Sequence, residues 1–441
     1  MPTSEPLATT RTQIAGASVR DLATRFGTPV YVYDAARIVD RVNDLRQFDV
    51  IRYAQKACSN IAILDLVRRN GVVVDAVSAG EIHRALAAGY RAGGRGQGTG
   101  DREHSEIVYT ADIFDRESLD LVVKLGLPVN CGSPEMIDQL GERAPGRQIT
   151  LRINPGFGHG HSQKTNTGGQ QSKHGIWHEQ LDDCLQRADR HGLAVTGIHM
   201  HIGSGTDLEH LAQVCGALEK AAEVVGRSVT TISAGGGLPI PYKTGQTFVD
   251  VDQYFRLWDA TRKRLEAKFD HPITLEIEPG RYLVAESGYL VAEIRAVKQM
   301  GENTFYLLDA GFNSLARPIL YGAYHPMSIC PVARHSVTES RDGVTGYDAP
   351  LHDVVVGGPL CESGDIFTQE EGGFVCKRSL PVAAVGDLLI LERAGAYGFV
   401  MASNYNSKPL PPEVLIQNGQ AHLIRARQTA DDLIRGEVIP Q

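Results

Sequence analysis

The chain has 441 residues, 42% of them hydrophobic and 22% charged, which is the composition of a soluble globular protein of about two to three domains. Its 52 acidic and 44 basic residues give a formal net charge of −8 without a long basic run, so we expect neither nucleic acid nor an anionic membrane surface as its main partner. No stretch approaches the roughly 18 apolar residues of a membrane-spanning helix, and the N-terminus lacks the apolar core of a signal peptide.

The seven cysteines include no CxxC pair. An odd number without such a pair favours free thiols in a reducing compartment over a disulfide framework. We therefore expect a cytoplasmic protein in which at least one thiol is functional.

The N-terminal region predicts a helix that begins near Val19, a strand over residues 28–33 and a second helix over residues 35–48. The strand contains Val30, Tyr31, Val32 and Tyr33, and β-branched and aromatic residues suit a pleated surface.

Eight strand-like runs then alternate with helix-length intervals. They cover residues 50–57, 72–78, 106–111, 128–133, 149–154, 195–204, 230–237 and 274–281. Eight parallel strands that alternate with helices close into an α/β barrel of the TIM type, whose active site gathers at the carboxyl ends of the strands. Polar or glycine residues end several of these runs, namely Lys56, Asp75, Arg152, His201, Gly235 to Gly237, and Glu278 to Arg281. This pattern predicts an enzyme and the end of the barrel that carries its site.

After Arg281 the spacing changes to strands separated by turns, with candidates at residues 289–297, 304–309, 353–357, 374–378 and 387–391 and a helix-length segment at 411–433. Such a series after a βα series predicts a second, mostly β domain, a barrel or a sandwich. We expect the barrel over residues 36–284 and the β domain over 1–35 and 285–441, with the strand near Val30 returning to the β domain.

Six short motifs occur in register with these elements. They are Tyr53-Ala-Gln-Lys-Ala-Cys-Ser-Asn60, His199-Met-His-Ile-Gly-Ser-Gly205, Gly235-Gly-Gly237, Glu278-Pro-Gly-Arg281, Cys361-Glu-Ser-Gly-Asp365 and Gly395-Ala-Tyr-Gly398. Together they resemble the fold-type III pyridoxal phosphate-dependent decarboxylases, in particular the enterobacterial-like branch that acts on diaminopimelate. The resemblance runs from about Val19 to Leu433, and it implies a barrel plus a β domain, a homodimer, and release of carbon dioxide from an amino acid.

The resemblance implies roles for residues at the barrel strand ends. Lys56 is the lysine that carries pyridoxal 5'-phosphate, and His201 stacks on the cofactor ring. Glu278 keeps the pyridine nitrogen protonated, although a strand-end acid paired with an arginine fits the residue pattern equally well. The remaining cofactor contacts fall to Ser204, Gly237, Gly280, Arg281 and Tyr397.

The resemblance also implies a proton donor and a substrate site. Cys361 returns a proton to the substrate, and its segment comes from the neighbouring subunit, so the two active sites of the homodimer are shared. Arg281, Arg317, Tyr321, Glu362 and Tyr397 contact the substrate. Because diaminopimelate has a second carboxylate, and guanidinium groups bind carboxylates bidentately, Arg317 favours meso-2,6-diaminopimelate, with L-lysine and carbon dioxide as products.

Alternative interpretations remain open at this point. Another basic or diamino amino acid (arginine, ornithine or carboxynorspermidine) can be the substrate, and a non-catalytic regulator or a cofactor carrier can share the fold. The regulators are expected to lose Lys56 or Cys361, and a racemase is expected to have a tyrosine base in place of the cysteine. A metal site built from His199, His201, the loop residues His159 and His161, and Cys361 is the weaker hypothesis, and we expect no metal.

Overall fold

The computed structural model describes residues 7–93, 105–158, 168–201, 207–332 and 350–440, and it comprises two compact units. The first unit consists of Val39–Pro239 and Val249–Leu283. The second consists of residues 7–38, Ile240–Phe248, and the described residues from Val284 onward. None of the helices in the described residues is long and apolar enough to span a membrane.

The first unit is the predicted barrel. Its eight strands are Val50–Ala54, Val73–Ala76, Ile107–Ala111, Val129–Cys131, Gln148–Asn154, Ala194–His199, Thr231–Ser233 and Thr274–Ile277. Each strand pairs in parallel with its neighbours, and the eighth pairs with the first, so the sheet closes on itself. A short strand, Ile176–Trp177, pairs with the end of the fifth barrel strand.

Helices follow the barrel strands. They are Ile61–Arg69, Ala79–Ala87, Arg116–Leu125, Pro134–Arg143, Leu181–Arg190, Leu208–Val225 and Val251–Phe269, with Ala35–Asn43 preceding the first strand. Short polar side chains start several of them: Asn60, Ser78, Asp115 and Asp250 each accept a hydrogen bond from a backbone N–H of the first turn. Such caps satisfy amide donors that have no partner inside the helix.

Polar pairs lie buried between neighbouring barrel strands. Arg52 of the first strand donates to Glu276 of the eighth at 2.9 Å, and Asn130 of the fourth strand donates to Thr110 of the third at 2.7 Å. A Cβ on Gly197 would lie 2.2 Å from the hydroxyl of Thr150, so the sixth strand needs glycine there to approach the fifth. The barrel core therefore carries charge and hydrogen bonds as well as aliphatic side chains.

The second unit is built on a nine-stranded sheet. Its strands are Val30–Asp34, Gly288–Met300, Asn303–Leu308, Met327–Cys330, Leu351–Gly357, Arg378–Pro381, Leu388–Leu391, Glu413–Gln417 and Gln420–Arg425. Shorter elements are the strands Gln13–Ile14 and Ala17–Ser18 and the helices Val19–Phe26, Arg317–Tyr321 and Ala430–Leu433, while the short helix Arg281–Val284 ends the first unit at Leu283 and begins the last part of the second at Val284. The strand Val30–Asp34 pairs with Gly288–Met300 on one side and with Glu413–Gln417 on the other, so the predicted return of the N-terminal strand is confirmed.

The segment 411–433 is mostly strand, and the helix-length interpretation of it was wrong. Glu413–Gln417 and Gln420–Arg425 form a hairpin, and only Ala430–Leu433 is helical. Asn418 and Gly419 have φ values of 52° and 74°, which is the geometry of a two-residue hairpin turn that Asn-Gly favours. The strand predicted at 374–378 lies instead at Arg378–Pro381.

Candidate active site

Lys56 lies directly after the first barrel strand, in the short 3₁₀ turn Gln55–Ala57. Gln55 is fully buried and donates to the backbone carbonyl of Asp75 at 3.1 Å, which anchors the turn to the second strand. Lys56 itself is exposed. Its ammonium is close enough to Asp75, Glu81 and His201 to act on the charge of all three.

Glu278, just after the eighth strand, is held by two buried partners. His199 Nε2 lies 2.7 Å from its Oε2, and the hydroxyl of Ser233 donates to its Oε1 at 3.0 Å. Burial alone would raise the pKa of Glu278, but the charge and hydrogen bond of His199, together with Arg52, hold that pKa well below its usual value. Glu278 is therefore a carboxylate at neutral pH. The sequence indicated His199 only as a candidate metal ligand and did not predict its contact with Glu278.

Asp75, at the end of the second strand, favours its protonated form, unlike Glu278. Burial and the nearby Glu278 raise the pKa of Asp75 well above its usual value, against the hydrogen bond from Thr110 and the charge of Lys56. Two buried acids that interact in this way divide their charge, with one ionised and the other favouring its proton.

His201 follows the sixth strand and is only partly exposed. Burial lowers the pKa of His201 well below its usual value, and the positive charges of Arg152 and Lys56 lower it further. The ring is therefore a neutral imidazole at physiological pH, which suits it to lie against the face of an aromatic cation.

The loop Gly235 to Gly237, after the seventh strand, can approach a phosphate closely. Gly235 has φ +61°, and a Cβ on Gly236 would lie 2.4 Å from the carbonyl oxygen of Glu278. The loop is tied to the next strand end, because Glu278 N donates to Gly235 O at 2.8 Å. Backbone amides without side chains in the way are what an anion site needs. These residues, with the ionised Glu278 and the exposed Lys56, fit a phosphorylated pyridine aldehyde.

Gly280 and Arg281 complete this strand end, where Arg281 begins the helix Arg281–Val284 and is partly exposed. Ser204, the remaining predicted cofactor contact in the barrel, lies outside the described residues, as do His159 and His161.

Asp112, which follows the third strand, was not predicted and ties the loop after the fifth strand to the barrel. It accepts from Gly175 N at 3.0 Å and lies 2.5 Å from His174 Nδ1, with Arg152 Nη1 4.0 Å away. Burial opposes its charge, but the bond to His174 and the charge of Arg152 keep the pKa of Asp112 below its usual value. An acid directly after a strand was the signal that could have found it.

The second unit presents Cys361 and Glu362 on an exposed loop. The buried Asp365 shapes this loop, because its carboxylate accepts from Phe312 N at 2.7 Å and from Leu360 N at 2.8 Å. Cys361 N donates to Asn406 Oδ1 at 2.8 Å. Cys361 is the exposed thiol among the seven free cysteines. Cys184 is buried, and burial raises the pKa of its thiol to about 12.

The same unit holds Arg317 almost entirely buried, with 7% of its surface exposed, at the start of the helix Arg317–Tyr321. Its Nη1 lies 2.9 Å from His325 Nε2, and its guanidinium carbon is 5.2 Å from the ring centre of Tyr242. Tyr321 ends this helix and is partly exposed. Tyr397 is also partly exposed and has φ +56°, a left-handed conformation that is costly for a tyrosine and typical of functional positions.

The predicted site residues therefore fall into two groups. Lys56, His201 and Glu278 gather with the glycine loop at the carboxyl end of the barrel strands, as barrel enzymes require. The second unit carries the predicted proton donor and substrate contacts, Arg317, Tyr321, Cys361, Glu362 and Tyr397.

Comparison with known proteins agrees with this class of site. Residues 36–285 match the family model described as "Pyridoxal-dependent decarboxylase, pyridoxal binding domain". Because the match covers more than half of the chain, the protein belongs to the pyridoxal-dependent decarboxylases, and its closed barrel with a strand-end lysine, an ionised strand-end glutamate and a glycine loop agrees with that class.

Full-length relatives make the relation more specific. The chain is 52% identical to the diaminopimelate decarboxylase of Streptomyces coelicolor, covering 99% of this chain and 96% of the relative. It is also 52% identical to that of Escherichia coli K12, covering 98% and 99%. A crystal structure of diaminopimelate decarboxylase, 51% identical, superposes with a TM-score of 0.90 over 97% of this chain and 98% of that one. The chain therefore belongs to the diaminopimelate decarboxylase family.

Proposed function

We propose that this protein decarboxylates meso-2,6-diaminopimelate to L-lysine and carbon dioxide, the last step of lysine biosynthesis, with pyridoxal 5'-phosphate as cofactor. The observation that carries the proposal is the 52% identity to diaminopimelate decarboxylases over nearly the whole length of both chains. The site supplies the physical reasons.

The barrel residues fit the cofactor. Pyridoxal phosphate, when bound, supplies a ring that accepts the electron pair left on the substrate when carbon dioxide departs. Lys56 is exposed and would hold the aldehyde carbon, and the ionised carboxylate of Glu278 would favour a protonated ring nitrogen. The neutral ring of His201 would stack on the cofactor ring. Gly237, Gly280, Arg281 and Ser204 serve the phosphate, and Tyr397 contacts both cofactor and substrate.

Cys361 returns the proton to the substrate carbon. A thiol can act as a general acid, and the exposed position of Cys361 in its own unit supports a role in the site of a second copy. We therefore propose a homodimer with two shared sites, in which the barrel of residues 36–284 holds the cofactor and the β domain of residues 1–35 and 285–441 supplies the cysteine segment. A cytoplasmic location is part of the proposal and agrees with the seven free thiols.

The distal end of the substrate meets cations. Diaminopimelate carries a second amino acid group, and the guanidiniums of Arg317 and Arg281 match its carboxylate. Glu362 accepts from its ammonium, and Tyr321 and Tyr397 supply hydroxyls. Arg317 is buried in its unit, and a guanidinium held by its surroundings presents its fork of donors to a carboxylate in a defined geometry.

Product analysis tests the reaction. Purified protein with pyridoxal phosphate is offered meso-diaminopimelate, lysine, ornithine and arginine separately. We expect lysine and carbon dioxide from diaminopimelate alone. Release from ornithine or arginine instead would overturn the substrate, and no release from any of the four, with cofactor bound, would favour a non-catalytic regulator.

Subunit mixing tests the shared sites. Lys56→Ala and Cys361→Ala variants should each be nearly inactive, and hybrids refolded together should regain up to about a quarter of wild-type activity, since a random mixture restores one site in half of the dimers. Hybrid dimers that form without any recovery would refute the cysteine from the partner subunit.

A further inference from the structure

His325 is a fully buried histidine in the second unit, with 0% of its surface exposed, and none of the roles above uses it. Its Nδ1 lies 3.0 Å from the backbone carbonyl of Glu392, and its Nε2 lies 2.9 Å from Arg317 Nη1. A carbonyl oxygen only accepts, so Nδ1 must carry the hydrogen. A guanidinium only donates, so Nε2 must present its lone pair. These two neighbours define His325 as a neutral imidazole in a single tautomer.

The carbonyl that orients His325 belongs to a rigid part of the sheet. The strand Met327–Cys330 pairs antiparallel with Leu388–Leu391, and Glu392 N extends this ladder by donating to Pro326 O at 2.8 Å. The carboxylate of Glu392 accepts from the buried hydroxyl of Ser328 at 2.8 Å and from Arg11 Nε at 2.8 Å. Because Glu392 is held at both backbone and side chain, its carbonyl is a fixed reference point for the imidazole.

A second neutral group faces the same guanidinium. Tyr242 lies with its ring centre 5.2 Å from the Arg317 guanidinium carbon and 5.7 Å from the His325 ring, to which it is nearly perpendicular. Arg393 donates to the carbonyl of Pro241, which tethers the backbone next to Tyr242. Two of the groups that contact the guanidinium, the imidazole and the phenol ring, are thus themselves held in place by the surrounding backbone.

We propose that His325 is a positioning residue that fixes the guanidinium of Arg317 and so sets the preference for a substrate with a distal carboxylate. The inference rests on the proposed function, in which Arg317 meets that carboxylate. Ordering a free arginine side chain costs about 2 kcal/mol of rotamer entropy. If His325 orders Arg317 before the substrate arrives, substrate binding does not have to supply this free energy, and the affinity for the distal carboxylate is higher.

The test uses His325→Leu, which removes the acceptor, and His325→Gln, whose side-chain carbonyl can accept from Arg317. His422→Leu, at an exposed histidine of the same unit, is the matched control. We expect KM for diaminopimelate to rise about 10- to 100-fold in His325→Leu, as for the loss of a hydrogen bond to a charged group, with kcat and the cofactor absorbance nearly unchanged. His325→Gln should recover most of the loss, and His422→Leu should behave as wild type.

Two further readouts separate positioning from a merely structural role. Inhibition by L-lysine, whose remaining carboxylate is the distal carboxylate of diaminopimelate, should weaken in His325→Leu in parallel with the rise in KM, whereas inhibition by cadaverine, which has no carboxylate, should be unaltered. In an Arg317→Ala background, His325→Leu should change KM by less than about twofold, because the residue through which it acts is gone. Loss of cofactor absorbance, a fall in kcat without a change in KM, or no recovery with glutamine would overturn the positioning role.

The outcomes also distinguish the two proposals. A wild-type protein that acts on diaminopimelate while His325→Leu keeps its KM refutes the role of His325 alone. A wild-type protein that decarboxylates ornithine or arginine but not diaminopimelate refutes both.

Discussion

The buried ion pair between Arg52 and Glu276 predicts that removing one partner destabilises the protein strongly, whereas removing both partners does not. The two groups meet at 2.9 Å with side-chain exposures of 2% and 3%. Burial opposes the charge of Arg52, but Glu276 first, and then Glu278 and Asp75, raise the pKa of Arg52 overall. Removing one partner leaves an uncompensated buried charge, which costs about 3–5 kcal/mol. We therefore expect Arg52→Met and Glu276→Leu each to lower the free energy of unfolding by that amount.

The double variant Arg52→Met/Glu276→Leu should behave differently, because replacing both partners with apolar groups of similar volume is close to neutral or stabilising. Equilibrium urea unfolding of the four proteins measures the coupling directly. Arg143→Met is the matched control, since Arg143 pairs with Asp120 at 2.8 Å with 50% and 65% exposure, and such surface pairs contribute about 0–1 kcal/mol. A loss below about 1 kcal/mol in Arg52→Met, or a double variant as unstable as the sum of the two single variants, would refute the reasoning.

Three shorter predictions follow from the site. In the folded protein the pKa of Glu278 lies below its usual 4.5, so the ionised carboxylate contributes fully to stability above pH 4.5, and this contribution is lost as the pH falls toward the folded pKa. Glu278→Gln should therefore flatten the decline of the melting temperature between pH 6 and 3. Parallel curves for the variant and the wild type would contradict this. Gly236→Ala should weaken pyridoxal phosphate binding about tenfold in a cofactor titration, because the added Cβ would lie 2.4 Å from a carbonyl oxygen. Gly216→Ala is the control and should leave binding unchanged, because its Cβ would meet nothing within 4 Å. The native protein should show a fast thiol-labelling phase, and Cys361→Ser should abolish it, because Cys361 is exposed. Cys184 is buried and the pKa of its thiol is raised to about 12, so fast labelling of Cys184 would contradict these exposures.

Much of the barrel could be predicted because its strands are short apolar runs that end in polar residues. A buried strand of a parallel sheet is a continuous hydrophobic run in the sequence, and the change to Lys56, His201 or Glu278 marks the end of that run. The same logic accounts for the position of these side chains at one end of the barrel, since parallel strands share their direction.

The partners of those residues could not be predicted, because they depend on closure of the barrel. His199 and Glu278 stand 79 positions apart and meet only because their strands lie close together in the closed sheet. Arg52 and Glu276 are 224 positions apart and pair only because the eighth strand returns to the first. By contrast, the hairpin at Asn418 and Gly419 was visible locally, and its omission was an error of interpretation.

The closed barrel also decides which of the clustered groups are charged. Asp75 and Glu278 are both buried acids, yet Glu278 has His199, Ser233 and Arg52 to stabilise its negative charge, whereas Asp75 has mainly the hydroxyl of Thr110 and the ammonium of Lys56. The pKa values of the two acids are therefore driven apart, as in enzymes that assign different tasks to neighbouring acids. An ionised carboxylate is the state that would favour a protonated pyridine ring. The electrostatics of the barrel core thus favour Glu278 over Asp75 for the proposed role, a distinction that two strand-end acids in the sequence do not reveal.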